Sequence, residues 1–375
     1  MATSGRELRS TAREDGTLEL TITDVDHDDP AAGEVLVRIE AAPINPSDLG
    51  LLLGPADIAS LRPGGTADRP SLSFDIPASR RASVGARLSQ SLAVGNEGAG
   101  TVIAAGEGAE ALLGKRVAML GGAMFADYRI LRMRDVVLLP DGASAADGAS
   151  MFVNPLTALG FVETMRMEGH KAIVHAAAAS NLGQMLQKLC LQEGIPLINI
   201  VRSPEQGAIL RDLGGTHVLD SRDADFRPKL VDAIAETGAT IAFDPIGGGS
   251  LGSDIMQAME QAAARTMTEF SRYGSNVFKQ LYIYGALDTA PTTLNRLAFG
   301  FQWSVSGWLV TPFLQKAGPE VATRLRRRVV DELTTTFASR FTRTIGLVEA
   351  LDPDVLRGYE RKATGEKYLI DPTRG

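Results

Sequence analysis

A single cysteine, Cys190, stands in a chain of 375 residues. One thiol excludes an intrachain disulfide and any cysteine-rich zinc site. Its place in a helix-like segment reads as a small buried hydrophobe. Long apolar runs are also missing. None reaches the roughly 18 residues a membrane span requires, and residues 1–10 carry no apolar signal core. A cytoplasmic protein without membrane contact is therefore expected. Nor is there an excess of cations: 38 Lys and Arg against 45 Asp and Glu leave a net charge of −7, which argues against nucleic acid as a partner. What remains, 44% hydrophobic and 22% charged, is the composition of a globular protein, and the length allows two domains.

The stretch Ile173 to Arg202 organises the rest. Ile173 and Val174 run into a turn of small residues, Ala176 to Gly183. Met185, Leu186, Leu189 and Cys190 follow at helical spacing. Gly194 and Pro196 end that helix, and Leu197 to Val201 begins a second strand. This is one βαβ unit of about 30 residues, right-handed and parallel. The amides at the head of its helix suit a pyrophosphate. The usual G-x-G-x-x-G is here Ala177, Ala179 and Gly183, with Ser180 and Asn181 between as cap or phosphate ligand. An ordinary crossover without a ligand stays an alternative.

N-terminal to this unit the pattern is β-rich. Leu18-Leu20-Ile22 and Val35-Val37-Ile39 alternate as strands, with Asp24 to Gly33 as a loop. Asn45-Pro46-Ser47-Asp48 is a helix start. Residues 55–92, rich in Pro, Ser, Arg and Gly, read as a long surface loop, either a lid or an insertion without function. Short strands follow at 101–105, 115–119, 126–130 and 136–140, and helical spacing starts near Asp147. Beyond the βαβ unit, Val218 to Asp220, Thr240 to Asp244, Leu281 to Leu287 and an edge strand at Val305 to Leu309 read as further strands. Arg324, Arg326, Arg327 and Arg328 read as a solvated helix face.

The ordered set PINPSD, GNEGAG, VNPLTAL, the small-residue turn, DPIGG and YGAL resembles the zinc-free medium-chain dehydrogenase/reductase superfamily, in its quinone oxidoreductase and 2-enoyl thioester reductase branch. The resemblance implies an α/β protein in which a GroES-like β-rich catalytic domain accompanies a Rossmann domain with a doubly wound parallel sheet, the cofactor lying in the cleft between them. The expected division is 1–152 for the catalytic domain, 153–310 for the Rossmann domain, and 311–375 for a segment returning to the catalytic domain. It also implies a homodimer. Zinc-binding members place a Cys where Asn45 stands and a His-Glu pair where Asn96 and Glu97 stand, and amides are poor ligands for zinc beside thiolate and imidazole. No metal is expected.

The expected cofactor-binding residues are Asn154, Thr157, Ala178, Ala179, Ser180, Asn181, Leu182, Gly183, Arg202, Ser203, Gly247, Tyr284, Gly285 and Leu287. Arg202 and Ser203, about 20 residues past the turn, favour the 2′-phosphate of NADPH over NADH. Glu205 nearby keeps NADH open. Asn45 and Asn96 are the expected catalytic donors to the anion that hydride transfer develops on a small-molecule substrate. Enoyl thioester reductases of this type carry a tyrosine shortly after the PSD segment. Gly54-Pro55-Ala56-Asp57 offers none, which moves the first expectation to a quinone or other activated enone, with enoyl thioester reduction second. A nucleotide-binding protein of the same fold without activity is a third reading. Gly248-Gly249-Ser250-Leu251-Gly252 matches a hydrolase nucleophile elbow, but all four histidines, His27, His170, His175 and His217, precede Ser250, so the required order of base after nucleophile is missing.

Overall fold

The computed structural model describes residues 3–374 and divides into two compact units, residues 1–153 with 332–375, and residues 154–331. Among the described residues no helix is long and apolar enough to cross a membrane.

The first unit is β-rich. Its strands are β1 (Thr3–Ala12), β2 (Thr17–His27), β3 (Glu34–Pro43), β4 (Asp57–Gly65), β5 (Pro70–Asp75), β6 (Ser91–Ala93), β7 (Glu97–Ala105), β8 (Arg116–Leu120), β9 (Tyr128–Arg132) and β10 (Val136–Leu138). The helix α1 (Pro46–Leu52) follows β3, and α2 (Ala145–Gly148) closes this first stretch. One sheet runs β4-β5-β2-β1-β6. Alternation sets its register: Leu18 faces Phe74 and Leu20 faces Leu72, all essentially without exposure.

This sheet corrects the expectation for residues 55–92. They form β4, β5, a 3-10 helix at Ala78–Arg87 and β6 rather than a long loop. Only Leu72 and Phe74 carry the alternation, and the Gly, Pro and Arg around them hid it. The expected loop at Asp24 to Gly33 is shorter as well, because β2 extends to His27.

The second unit holds β11 (Ile173–His175), β12 (Leu197–Val201), β13 (His217–Asp220), β14 (Ile241–Asp244), β15 (Gly247–Gly249), β16 (Lys279–Ile283), β17 (Asp288–Thr292) and β18 (Trp303–Gly307). Its helices are α3 (Val153–Met167), α4 (Asn181–Glu193), α5 (Pro204–Asp212), α6 (Phe226–Thr237), α7 (Leu251–Ala264), α8 (Val310–Ala317) and α9 (Pro319–Asp331). Six strands make one sheet in the order β13-β12-β11-β14-β16-β18, every pair parallel. That is the Rossmann order, with the order of strand addition reversing between β11 and β14. All residues of β11, β12 and β14 are buried, as helices on both faces demand. The YGAL segment is not wholly a strand: β16 stops at Ile283, and Tyr284 to Leu287 form a loop.

The boundary expected at 311 also moves. Helices α8 and α9 group with the Rossmann unit. Phe313 stacks on Trp308, Trp308 Nε1 donates to Thr164 Oγ1, and Lys316 pairs with Glu168. Arg324 pairs with Glu163 and Arg328 with Glu193, so the expected solvated arginine face is partly bound to α3 and α4. The return segment starts at residue 332. It carries β19 (Arg343–Ile345), α10 (Pro353–Glu360) and β20 (Tyr368–Ile370), and β20 pairs antiparallel with β3.

Candidate active site

The turn between β11 and α4 keeps the geometry of a phosphate-binding turn with alanines in place of two glycines. Ala177 has φ +49°, the left-handed conformation that costs an L-residue roughly 1 kcal/mol and that glycine would adopt freely. Ala178 N–H donates to Ile200 O at 3.1 Å, fixing the turn to β12. Ser180 caps α4, its Oγ accepting from Gly183 N–H at 3.1 Å, and Gln184 Nε2 donates to Ala179 O at 2.9 Å. At Gly183 an added Cβ would lie 2.0 Å from Ala178 O, so only glycine allows this helix to start so close to its strand. A cradle of this kind, with the first amides of a helix along its axis, fits a pyrophosphate.

Around the carboxyl ends of β14 and β16 two loops run backbone against backbone. Tyr284 N–H donates to Asp244 O at 3.0 Å and Leu287 N–H to Pro245 O at 3.0 Å. A Cβ on Gly285 would meet Pro245 O at 2.7 Å, and one on Gly247 would meet Gly285 O at 2.9 Å. Asp244 accepts from the Ile246 and Gly247 amides, while burial raises its carboxyl above the usual range. Tyr284 does not offer its phenol outward: the hydroxyl lies 2.7 Å from Nε2 of His175, and burial holds its ionisation well above the usual tyrosine range. At the end of β12, Arg202 is exposed. Ser203 caps α5 by accepting from Gln206 N–H at 3.4 Å, and its hydroxyl also engages Glu205. Asn154 and Thr157 lie in the first turns of α3, Thr157 buried. Ser250, at φ −113°, heads α7 without the strain of a nucleophile elbow.

In the β-rich unit the PINPSD and GNEGAG segments meet in a buried polar cluster. Asn45 is the N-cap of α1, and its backbone N–H donates to Asp48 Oδ2 at 2.8 Å. Asp48 Oδ1 accepts from Asn96 N–H at 2.8 Å, so one carboxylate ties the helix start to the second motif. Asn45 Nδ2 donates to Glu97 Oε1 at 2.8 Å, and Glu97 Oε2 accepts from the amides of Phe152 and Val153 at 2.8 and 2.9 Å. The Lys367 ammonium donates to Ser150 Oγ at 2.8 Å and lies 5.2 Å from the centre of the Phe341 ring. Burial pushes Asp48 up to about 7, against its two amide bonds and with the help of Glu97; Glu97 is raised by burial too. Burial lowers Lys367 to about 8 against the pull of both carboxylates.

The two expected catalytic amides are therefore unlike. Asn45 is only 2% exposed, its NH2 is turned to Glu97, and its Oδ1 is buried without a partner among the described residues. Asn96 is half-buried and spends one of its two amide hydrogens on Ser47 Oγ at 3.0 Å. Sequence reasoning saw Asp48 only as a helix start and missed Lys367, His175 and Ser150. A lone lysine 270 residues from Glu97 and 319 from Asp48 has no local signature, and His175 reads as one more strand residue.

Comparison with known proteins agrees with this architecture. The alcohol dehydrogenase GroES-like domain matches residues 31–141. The synaptic vesicle membrane protein VAT-1 homolog of Rattus norvegicus is 29% identical over 158 residues, 41% of this chain and 39% of that protein. The mitochondrial enoyl-[acyl-carrier-protein] reductase of Xenopus tropicalis is 28% identical over 242 residues, 62% of this chain and 60% of that protein. The matched stretches thus span 39% to 60% of these relatives' own length. Over the whole chain, a Mesorhizobium loti protein assigned as an NADPH:quinone reductase superposes with a TM-score of 0.73 at 25% identity, covering 99% of both chains. A mutant form of the enoyl thioester reductase of Candida tropicalis does so with a TM-score of 0.69 at 19% identity, covering 98% of this chain and all of that one. With a GroES-like domain, a six-stranded Rossmann sheet and structural neighbours among quinone oxidoreductases and enoyl thioester reductases, the chain has the fold of the medium-chain dehydrogenases/reductases.

Proposed function

We propose that this chain is an NADPH-dependent reductase that passes hydride to a quinone or another activated enone without zinc. The observation that carries the reading is the turn at Ala177 to Gly183, whose backbone leaves no room for a Cβ at Gly183 and whose helix is capped by Ser180. When bound, NADPH supplies the hydride from its nicotinamide ring. The chain's own residues bind and orient. The turn holds the pyrophosphate, and the exposed Arg202 guanidinium takes the 2′-phosphate as a charge-assisted bond. Glu205, engaged with Ser203 beside it, is the feature that keeps NADH a weaker alternative. Asn96, with an amide hydrogen to spare, is the better donor to an oxyanion, and Asn45 is the residue that holds Glu97 and α1 in place. Asn45 and Asn96 present amides rather than a thiolate and an imidazole, and amide oxygens are poor zinc ligands, which supports a zinc-free site.

Enoyl thioester reduction is the second reading. It is favoured by the longer aligned stretch with the Xenopus tropicalis enoyl reductase, 242 residues against 158 for the rat VAT-1 homolog. A homodimer through the free edge of β18 is part of the proposal, since exposed Phe301 and Leu309 flank that edge. The deciding experiment follows NADPH oxidation at 340 nm with a quinone, an enone and a trans-2-enoyl-CoA, alongside zinc analysis of the protein. Turnover of the quinone or enone with substoichiometric zinc supports the first reading. Turnover of the thioester alone selects the second, and one zinc per chain lost together with activity refutes the zinc-free site.

A further inference from the structure

Two aromatic side chains bridge the carboxyl edge of the Rossmann sheet at the place where its strand order reverses. His175 is the last residue of β11 and immediately precedes the phosphate turn. Tyr284 is the first residue after β16 and opens the 284–287 loop. In the sheet β14 lies between these strands, so at roughly 4.8 Å per strand their backbones stand about 9.5 Å apart. The two side chains close that distance: His175 Nε2 and Tyr284 Oη lie 2.7 Å apart, with the rings nearly parallel at 17° and centroids 5.9 Å apart. Phe161 stacks on Phe243 beneath and meets the Tyr284 ring edge-on at 4.8 Å, so neither ring of the bridge is free to turn.

The surroundings make this bond more than packing. His175 is wholly buried, and its Nδ1 has no partner among the described residues. Among the described residues the phenol is therefore the one hydrogen-bond partner of the imidazole, which remains neutral because burial lowers it to about 3. On the far side, the loop that Tyr284 opens carries exposed Gly285, Ala286 and Leu287. That loop is otherwise held by backbone bonds from Tyr284, Leu287 and Asp288 to Asp244, Pro245 and Ile246. Ligands of open α/β sheets lie outside these carboxyl ends at the switch point.

We infer that the His175–Tyr284 pair is a positioning device, tying the phosphate turn to the 284–287 loop so that the loop is set for the half of the dinucleotide farther from the turn. The inference rests on the reading of the site as a dinucleotide site and adds to it: Tyr284 acts through His175 and the shape of the loop rather than by contact, and His175 joins the residues that determine binding.

The test compares two ligands on three proteins. NADPH carries both halves of the dinucleotide, and 2′-phospho-ADP-ribose lacks the nicotinamide. Tyr284→Phe removes one hydroxyl and keeps the ring. His175→Gln retains a side chain able to bond that hydroxyl and serves as the conservative rescue. In Tyr284→Phe the dissociation constant for NADPH is expected to rise about tenfold, the size of one buried hydrogen bond, while that for 2′-phospho-ADP-ribose stays within twofold. His175→Gln is expected to fall between Tyr284→Phe and the unmodified protein for NADPH. Equal effects of Tyr284→Phe on both ligands, or no effect on either, would overturn the inference and leave the dinucleotide site standing. Failure of the unmodified protein to bind either ligand would overturn the dinucleotide reading, and the inference with it.

Discussion

Gly183→Ala adds a single methyl group where the backbone leaves no space. An ideal Cβ at this position lies 2.0 Å from the carbonyl oxygen of Ala178, 2.6 Å from its carbonyl carbon and 2.9 Å from its Cα. All three are backbone atoms, so no rotamer change relieves the contact. Restoring a carbon–oxygen separation of about 3.3 Å requires a shift of more than about 1 Å, either in the turn or at the head of α4. Two bonds stand in the way: Ala178 N–H to Ile200 O and Gly183 N–H to Ser180 Oγ, each 3.1 Å. A shift of that size breaks at least one. Overpacking of this kind costs about 1–3 kcal/mol and a lost hydrogen bond about 1 kcal/mol more. The sum, roughly 2–4 kcal/mol, lowers the melting temperature of a domain of this size by about 5–15 °C. Misplacing the amides by about 1 Å weakens nucleotide binding on the order of a hundredfold. The assay is thermal unfolding with and without NADPH, combined with calorimetric titration, with Ala179→Gly as a control that removes a methyl from the same turn. A Gly183→Ala protein that melts within 2 °C of the parent, roughly the resolution of such a shift, and binds NADPH within twofold would refute the argument.

Arg202→Ala should weaken NADPH roughly 10- to 150-fold, the worth of one charge-assisted bond of about 1.5–3 kcal/mol, and leave NADH nearly unchanged; equal small effects on both would make Arg202 a bystander. Asp48, raised by burial to about 7, holds a proton in the folded protein at pH values where the unfolded chain has lost it. Stability should therefore fall as pH rises from about 4 to 7, by an amount on the order of 1 kcal/mol per unit, and Asp48→Asn should flatten that slope in urea midpoints taken across the range. Above pH 8 the sign reverses, since Lys367, lowered to about 8, loses its proton in the fold before it does in the unfolded chain. Lys279 is wholly buried, and its ammonium donates to Glu260 Oε2 at 2.5 Å, Val277 O at 2.8 Å and Ser275 Oγ at 3.2 Å. Burial pushes the Glu260 carboxyl up, but Lys279 and Ser275 outweigh it and hold the group below its ordinary range. Lys279→Met should cost about 3–5 kcal/mol in denaturant unfolding; a loss below about 1 kcal/mol would mean that Glu260 finds another partner.

The residues themselves determined the parts of this protein that depend on local order. An apolar run, small residues, a helix-spaced stretch and a terminating glycine specify β11, α4 and β12, because the periodicities of 2 and 3.6 are properties of neighbours in the chain. Gly194 ends α4 in the left-handed conformation where the pattern stops. The order of short motifs was enough to anticipate a GroES-like domain beside a Rossmann sheet. Other features only the tertiary structure decided. Residues 55–92 become strands because β2 offers Leu18 and Leu20 as cross-strand partners to Phe74 and Leu72, a long-range pairing that their own composition does not announce. The loop after Ile283 replaces the expected end of a strand because backbone bonds draw it to the turn after β14. The amide of Asn45 faces inward because Glu97, some 50 residues on, claims it. His175 and Tyr284 gain their relation only when β14 inserts between their strands. Hydrogen bonds between distant segments follow from the folded backbone, and a local sequence pattern contains no term for them.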